Sequence, residues 1–385
     1  MASPLAHNPL ESRINSAPLK TCSSSSSYSG PHLYLESQRI AHQYRSFQQA
    51  LPMVNPYYAV KANPHPDIIR LLDRLGCSFD IASEGELALL QGLGIHPRKI
   101  LFSNPIKSTS SLVAARDYGI LWYACDSLEE LQKLSHWVPD GQYELRLQTD
   151  GRGSVWPLDN KFGVDMDEAR GLIDYAAQHQ LPLSGLTFHV GSQCTASDSW
   201  LRAIHNCREL LQYMQAQSLS PRLLNIGGGF PSAIHRDIPD IESLTAPLRM
   251  ALHETIKSLP GNPLIAAEPG RFLVADAGTL HCQVIATASR HGEPWAYLDC
   301  GYYNGLMELN EAFGFQLRNK SRGGAMCSWT VAGPSCDSID VFAPRYLLPA
   351  NTRCGDLIEI PHMGAYCVSC ASEFNGFCVP EVVFS

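Results

Sequence analysis

The stretch YYAVKANPHPDIIRLLDRL, residues 57–75, joins a short run of strand-favouring residues to a helical pattern. Tyr57 to Val60 favour a β-strand, and the segment from Pro66 to Leu75 places its apolar residues at helical spacing. Lys61 stands at the end of the strand-like run with no acidic residue nearby in the sequence. This strand followed by a helix is the unit from which we predict the fold.

The unit recurs along the chain, because further strand-like runs alternate with helical patterns. The predicted strands are residues 57–60, 78–81, 100–102, 121–125, 143–147, 186–190, 223–226 and 264–267. Several helical patterns begin with a capping residue followed by acids, such as Ser127 and Asp240. Strands alternating with helices in this way predict an α/β fold, a (β/α)8 TIM-like barrel spanning residues 36–275.

The pattern changes in residues 276–385, where apolar alternation is broken by glycine and proline and no long helix is indicated. This segment is typical of a C-terminal all-β domain, either a sandwich or a small barrel. A serine-rich stretch, CSSSSSYSG at residues 22–30, favours a mobile loop or tail. We expect the N-terminal segment, residues 1–35, to add to the β domain.

Composition excludes several classes of protein. The 385-residue chain has a formal net charge of -8 and no basic run, which argues against a nucleic-acid partner. No stretch approaches the roughly 20 apolar residues that a membrane span requires. The N-terminal region lacks the apolar core of a signal peptide, so we expect a cytoplasmic protein without a membrane partner.

The cysteines do not form a recognisable framework. Thirteen of them are scattered along the chain, which predicts reduced thiols rather than a disulfide scaffold. Cys367 and Cys370 form a C-x-x-C motif, but residues three apart on a strand point to opposite faces of the sheet. We therefore expect no metal site there.

Polar residues accumulate at the ends of the predicted strands. In a barrel of this kind the loops that follow the strands meet at one end and carry the chemistry. The residues at these ends are Lys61, Asp80, Asn104, Asp126, Arg146, His189, Gly227, Gly228, Gly229, Glu268 and Arg271. Their side chains and backbone groups are expected to converge on one site.

The segment NIGGGFP, residues 225–231, is either a tight turn only or a phosphate-binding loop. Glycines after the seventh strand of a barrel commonly bind phosphate through backbone N–H groups, and Arg271 in EPGRF would add a charged contact. With a phosphate site nearby, Lys61 is predicted to form a Schiff base with pyridoxal 5'-phosphate (PLP), and Glu268 to pair with the pyridinium nitrogen. Burial without a local acid predicts a lowered pKa for Lys61. The alternatives are a strand-end lysine that reaches solvent, a core histidine at His189 and a structural Glu268–Arg271 pair.

Seven segments together resemble one family. They are YYAVKANP, FDIASEGEL, HVGSQC, NIGGGFP, EPGRF, GPSCDSIDV and GAYCVSCASEFNGF. In this order they resemble the fold-type III, PLP-dependent basic amino acid decarboxylases, and GPSCDSID and WPLDNKFG are similar to the ornithine/lysine branch rather than the diaminopimelate branch. The resemblance implies decarboxylation of L-ornithine or L-lysine by a homodimer with shared active sites.

The resemblance also implies a role for each matching residue. Lys61 would hold PLP, Glu268 would pair with the ring nitrogen and His189 would stack on the ring. The phosphate would be held by Ser192, Gly227, Gly228, Gly229, Arg271 and Tyr366. Asp80, Glu86 and Arg146 would organise the lysine and the pyridine face. Cys336 from a partner subunit would protonate Cα, and Asp337 would receive the distal ammonium of the substrate.

The substrate wall matches the family less closely. Glu311 falls where relatives carry an aspartate that helps to bind the distal amine, although a shifted alignment would give that role to Glu308; Tyr302 also lies on this wall. A longer acid would favour a shorter substrate. Three alternatives stay open: a decarboxylase of a modified diamino acid, an amino acid racemase of the same fold, and a catalytically inactive regulatory homologue.

Overall fold

A computed structural model of the chain describes residues 28–158, 160–234, 238–311, 313–342 and 344–385. The serine-rich stretch that we predicted to be mobile lies outside these ranges except for residues 28–30. The first elements are strand β1 (His32–Leu35) and helix α1 (Ser37–Ala50).

Eight parallel strands close into a barrel, as the alternating pattern predicted. The barrel strands are β2 (Asn55–Ala59), β3 (Ser78–Ile81), β4 (Ile100–Phe102), β5 (Trp122–Cys125), β6 (Gln142–Leu147), β8 (Leu183–Phe188), β10 (Leu223–Asn225) and β11 (Leu264–Ala267). Two short strands, β7 (Ser154–Trp156) and β9 (Ser192–Cys194), pair antiparallel in the loops that follow β6 and β8. These loops therefore lie at the carboxyl end of the barrel.

Helices follow most of the barrel strands and cover the barrel from outside. They are α2 (Pro66–Arg74), α3 (Glu84–Gly92), α4 (Thr109–Tyr118), α5 (Leu128–Trp137), α6 (Met166–Gln178), α7 (Ser197–Ala216), α8 (Ile241–Lys257) and the short α9 (Arg271–Val274). The predicted caps are confirmed: Ser127 accepts from the N–H of Glu130, and Asp240 accepts from that of Ser243. Such caps satisfy N–H groups that have no partner within the helix.

Strands from both ends of the chain form a second, mostly antiparallel sheet. Its strands are β1 with β12 (Gly278–Arg290), β13 (Glu293–Leu298), β14 (Arg318–Asn319), β15 (Met326–Ala332), β16 (Tyr346–Pro349), β17 (Leu357–Pro361) and β18 (Glu381–Phe384). β1 pairs antiparallel with β12 and parallel with β18. The all-β character of this part of the chain is confirmed.

Several local predictions were wrong. The strands expected to reach Val60, Val190 and Ile226 end at Ala59, Phe188 and Asn225. At Val60 the chain enters a 3-10 turn, Val60–Ala62. The segment around the C-x-x-C motif is not a strand, since Val368–Cys370 forms another 3-10 turn. The argument from opposite strand faces therefore does not apply to Cys367 and Cys370.

No group of side chains suited to hold a metal ion occurs among the described residues, and no disulfide links the cysteines there. Within the same ranges, no helix has both the length and the hydropathy needed to cross a membrane.

Candidate active site

A cavity of about 870 Å³ lies at the carboxyl end of the barrel. Its wall includes Lys61, Asn104, Arg146, His189 and Glu268, each of which lies near or just after the end of a barrel strand. The structure therefore brings together polar strand ends that are far apart in the sequence.

Lys61 is held by an acid from the neighbouring strand. Its Nζ donates a hydrogen bond to Asp80 Oδ2 at 2.6 Å, and Asp80 is 1% exposed. The Lys61 side chain keeps 43% of its surface exposed, and it lines the cavity. Burial lowers the pKa of Lys61, but the carboxylates of Asp80 and Glu268 outweigh burial and leave this pKa raised. The prediction of a lowered pKa was wrong because the pairing acid is remote in sequence.

Three buried polar side chains form a chain of contacts beneath the cavity. Asn225 Nδ2 donates to Glu268 Oε1 at 2.6 Å and lies 3.3 Å from Glu144 Oε2. Burial and the nearby Asp80 carboxylate raise the pKa of Glu268, and burial and Glu268 raise that of Glu144. Sequence reasoning missed Glu144 and Asn225. The available signal was an acid, Glu144, between Tyr143 and Leu145 in strand β6.

His189 lines the cavity as a neutral ring. The backbone N–H of Gly191 donates to His189 Nδ1 at 3.0 Å, so the ring proton is assigned to Nε2. Burial, together with the positive charges of Arg146 and Lys61, lowers the pKa of His189 to about 3. A neutral imidazole can stack on a planar ligand without adding positive charge to the site.

The glycine-rich segment forms a sharp turn after β10. Gly227 and Gly229 have φ values of 61° and 96°, and a Cβ at either position would collide with a backbone carbonyl oxygen, that of Phe188 or of Gly191. These two positions therefore require glycine. Gly229 lines the cavity together with Ser192. Turns of this kind direct backbone N–H groups towards a bound anion.

Arg271 lies beside this turn but already has a carboxylate partner. Its Nη1 and Nη2 donate to Glu308 at 2.7 and 2.6 Å, and its Nε lies 3.3 Å from Ser192 Oγ. The Arg271 guanidinium also lies 4.7 Å from the ring centroid of Tyr366. The sequence predicted that Arg271 contacts a bound phosphate, but it did not predict the ion pair between Arg271 and Glu308.

Residues from the second sheet region close the cavity on the side of Lys61. Tyr366 and Cys370 line the wall, and the backbone N–H of Tyr366 donates to the carbonyl of Ala62 at 2.7 Å. This contact ties the loop after β17 to the turn that carries Lys61. The site is therefore formed by both parts of the chain.

Cys336 and Asp337 do not line the cavity of their own chain. Cys336 is exposed, and its thiol donates to Asn375 Oδ1 at 3.2 Å. Asp337 Oδ2 accepts from the hydroxyl of Tyr303 at 2.7 Å. Both residues lie between β15 and β16.

Seven other predicted residues also lie outside the cavity wall: Asp80, Glu86, Asp126, Gly227, Gly228, Tyr302 and Glu311. Asp126 Oδ2 accepts instead from the N–H of Gly163 at 2.8 Å. Glu311 is exposed, and the backbone N–H of Tyr302 donates to Asp340 Oδ1 at 2.7 Å. Glu86 Oε2 accepts from the N–H of Ala82 at 2.6 Å at the start of α3. Of the three acids considered for the substrate amine, Asp337, Glu311 and Glu308, only Glu308 lines the cavity.

The side chains of the cavity fit PLP. Lys61 offers an amine for covalent attachment, Glu268 offers a carboxylate for the ring nitrogen, and the glycine turn with Ser192 offers donors for the phosphate. Two buried atoms, Arg146 Nε and Asp80 Oδ1, have no hydrogen-bond partner among the described residues, as expected where a polar ligand completes the site. This fold and site define the class of barrel proteins that bind a phosphorylated cofactor through a lysine.

The chain belongs to the pyridoxal-dependent decarboxylase family. Residues 37–275 match the family model described as "Pyridoxal-dependent decarboxylase, pyridoxal binding domain". The family and the residues of the cavity agree on PLP as the cofactor.

Relatives match over most of this chain. The lysine/ornithine decarboxylase of Selenomonas ruminantium is 32% identical and covers 92% of this chain and 89% of its own. A structure of the lysine/ornithine decarboxylase of Vibrio vulnificus with cadaverine superposes with a TM-score of 0.84 at 33% identity, covering 93% of this chain and 95% of its own. A structure of the arginine decarboxylase of Paramecium bursaria Chlorella virus bound to agmatine superposes with a TM-score of 0.85 at 27% identity. The match covers 93% of this chain and 96% of the viral one.

Proposed function

We propose that this protein is a carboxy-lyase that uses PLP to remove CO2 from L-ornithine, giving putrescine, or from L-lysine, giving cadaverine. The placement of Lys61, Glu268 and the glycine turn around one cavity carries this proposal. The names of the relatives supply the substrate class, since the Selenomonas and Vibrio proteins are lysine/ornithine decarboxylases.

Loss of CO2 leaves an electron pair on Cα, and PLP, when bound, supplies a ring that can accept it. Glu268 would accept a hydrogen bond from the ring nitrogen, which favours the protonated ring. Asn225 donates to Glu268 and holds its carboxylate in place. His189 would pack on the ring as a neutral group, and Arg146 would contribute positive charge to the same face.

The proton and the distal contact would come from a second subunit. Cα must be protonated by a positioned acid after CO2 leaves, and a thiol is suited to this step. The cavity contains two acidic side chains among the described residues, Glu268 and Glu308, and both are engaged in contacts within the chain. The thiol of Cys370 also lines the cavity. Because the segment GPSCDSID resembles that of the ornithine/lysine branch, we assign the proton instead to Cys336 of the partner subunit and the distal ammonium to Asp337 of the partner subunit, in a homodimer.

The experiment is CO2 release by the PLP-loaded protein with L-ornithine, L-lysine, L-2,4-diaminobutyrate, meso-diaminopimelate and L-arginine. We expect turnover on ornithine or lysine, and a loss of about a thousandfold or more in Lys61→Ala. The matched control is Lys99→Ala, because Lys99 is also paired with an aspartate at 2.6 Å but lies outside the cavity.

The same two variants test the cofactor linkage. Lys61→Ala should lose the visible absorbance of the covalently held PLP, whereas Lys99→Ala should keep it. Full activity in Lys61→Ala would refute the assignment. Racemisation of a substrate without CO2 release would favour the racemase, and PLP binding without turnover on any of the five would exclude ornithine and lysine as substrates.

A further inference from the structure

The guanidinium expected at the cofactor phosphate is already paired in this protein. Arg271 and Glu308 form a two-point ion pair in which both side chains are 6% exposed. Both residues line the cavity beside Ser192 and Gly229. The anion site therefore contains a carboxylate within its wall.

This carboxylate changes the electrostatics of the site. Glu308 accepts one hydrogen bond from each terminal nitrogen of Arg271, and Nε faces Ser192 Oγ. A phosphate bound here would meet a neutral ion pair instead of an unpaired guanidinium, and its negative charge would lie close to that of Glu308. Like charges at short range in a buried site repel strongly.

We propose that Glu308 sets the affinity of this protein for the cofactor by competing with its phosphate for Arg271. This inference rests on the proposed placement of the phosphate beside the glycine turn. Glu308 compensates the buried charge of Arg271 when PLP is absent, and it limits how strongly Arg271 binds the phosphate when PLP is present. Glu308 is thus a positioning residue that acts through Arg271.

Glu308 has two opposing effects on the binding of PLP, and the larger one decides whether its removal strengthens or weakens binding. Its negative charge opposes binding of the phosphate. Glu308 also orients the guanidinium, and loss of this orientation would weaken phosphate binding. In Glu308→Gln, however, the amide oxygen can still accept one hydrogen bond from Arg271, while the negative charge is gone. We therefore expect the Kd for PLP to fall about tenfold or more, in the range of one charge-assisted hydrogen bond.

The test compares PLP with pyridoxal, which can react with Lys61 but has no phosphate. Full-length protein freed of cofactor is titrated with each compound, and the absorbance of the lysine-linked form gives both Kd values. Glu308→Gln should increase the ratio of pyridoxal Kd to PLP Kd about tenfold and leave pyridoxal binding unchanged. Glu293→Gln is the matched control, because it removes a carboxylate from an exposed pair with Arg345 at 2.7 Å.

Thermal unfolding provides a second readout. Without PLP, Glu308→Gln should unfold at a lower temperature than the wild type, because the charge of Arg271 is left buried without compensation. Saturating PLP should then stabilise the variant more than it stabilises the wild type. A merely structural role would lower stability with and without PLP alike.

A double variant keeps the proposal testable if Glu308→Gln folds poorly. Arg271→Gln combined with Glu308→Gln removes both buried charges, and it should fold. Compared with Arg271→Gln alone, the double variant should bind PLP more tightly, because the carboxylate that faces the phosphate has also been removed. An unchanged or decreased Kd ratio in Glu308→Gln, or PLP binding by the double variant that is no tighter than by Arg271→Gln, would overturn the proposal. Failure of the wild type to link PLP through Lys61 would instead refute the proposed function.

Discussion

His189 shows how strongly the cavity changes the properties of one side chain. Its pKa of about 3 lies well below the value of a histidine in an unfolded chain, because the ring is buried beside Arg146 and Lys61. Between these two values the unfolded state binds one more proton than the folded state. Folding stability therefore falls as pH decreases through this window.

Because His189 takes up one proton on unfolding, its contribution to the free energy of unfolding should fall by about 1.4 kcal/mol for each unit by which the pH decreases. Urea unfolding of the protein without PLP, measured from pH 6 to pH 4, should show this contribution in the wild type and not in His189→Gln. The matched control variant is His253→Gln, because His253 is exposed. Equal slopes in the wild type and His189→Gln would show that His189 is not held neutral.

At the scale of an element, the turn after β10 depends on close approach of the backbone as well as on φ. Gly229 has a φ of 96° and would place a Cβ against the carbonyl oxygen of Gly191. Gly261 has a similar φ of 86°, but a Cβ there would meet no atom within 4 Å. A substitution at Gly261 therefore measures the free-energy cost of a positive φ alone, whereas one at Gly229 adds the cost of the clash with the backbone of Gly191.

We expect Gly261→Ala to destabilise the protein by about 1 kcal/mol through backbone strain alone. Gly229→Ala should cost clearly more in denaturant unfolding, and it should weaken PLP binding about tenfold or more, because the turn must move. If both variants lost the same stability and bound PLP equally well, the turn would not be shaped by contact with the loop after β8.

At the scale of the whole molecule, the exposed position of Cys336 supports a site completed by a second chain. The substitution in Lys61→Ala lies in the barrel, and that in Cys336→Ala lies in the second sheet region. Each variant alone should lose most of its activity. When they are mixed after unfolding and refolding, half of the dimers should be hybrids with one intact site. The mixture should then recover about a quarter of wild-type activity.

The control mixture combines Lys61→Ala with Glu268→Ala. Both residues line the cavity of their own chain, so every site in a hybrid dimer remains damaged and no activity should return. Recovery in this control, or none in the Lys61→Ala and Cys336→Ala mixture, would contradict the shared site.

Sequence reasoning was most successful where the signal is local. The barrel was predictable because each strand and helix has its own periodicity, and because polar residues mark the strand ends. The special role of Gly227 and Gly229 was visible as a glycine run directly after a strand. The errors at Val60 and Cys367 arose where an apolar run continued into a turn.

The sequence by itself determined the alternation of strands and helices, the order of the polar strand ends and the family to which the chain belongs, since all of these are carried by short contiguous segments. Only the tertiary structure decided the partners of the charged groups. Asp80 pairs with Lys61, Glu308 with Arg271, and Asn225 links Glu144 to Glu268. The physical reason is that these contacts depend on which strands become neighbours and how their loops close, and electrostatic energies inside a protein change steeply with such distances.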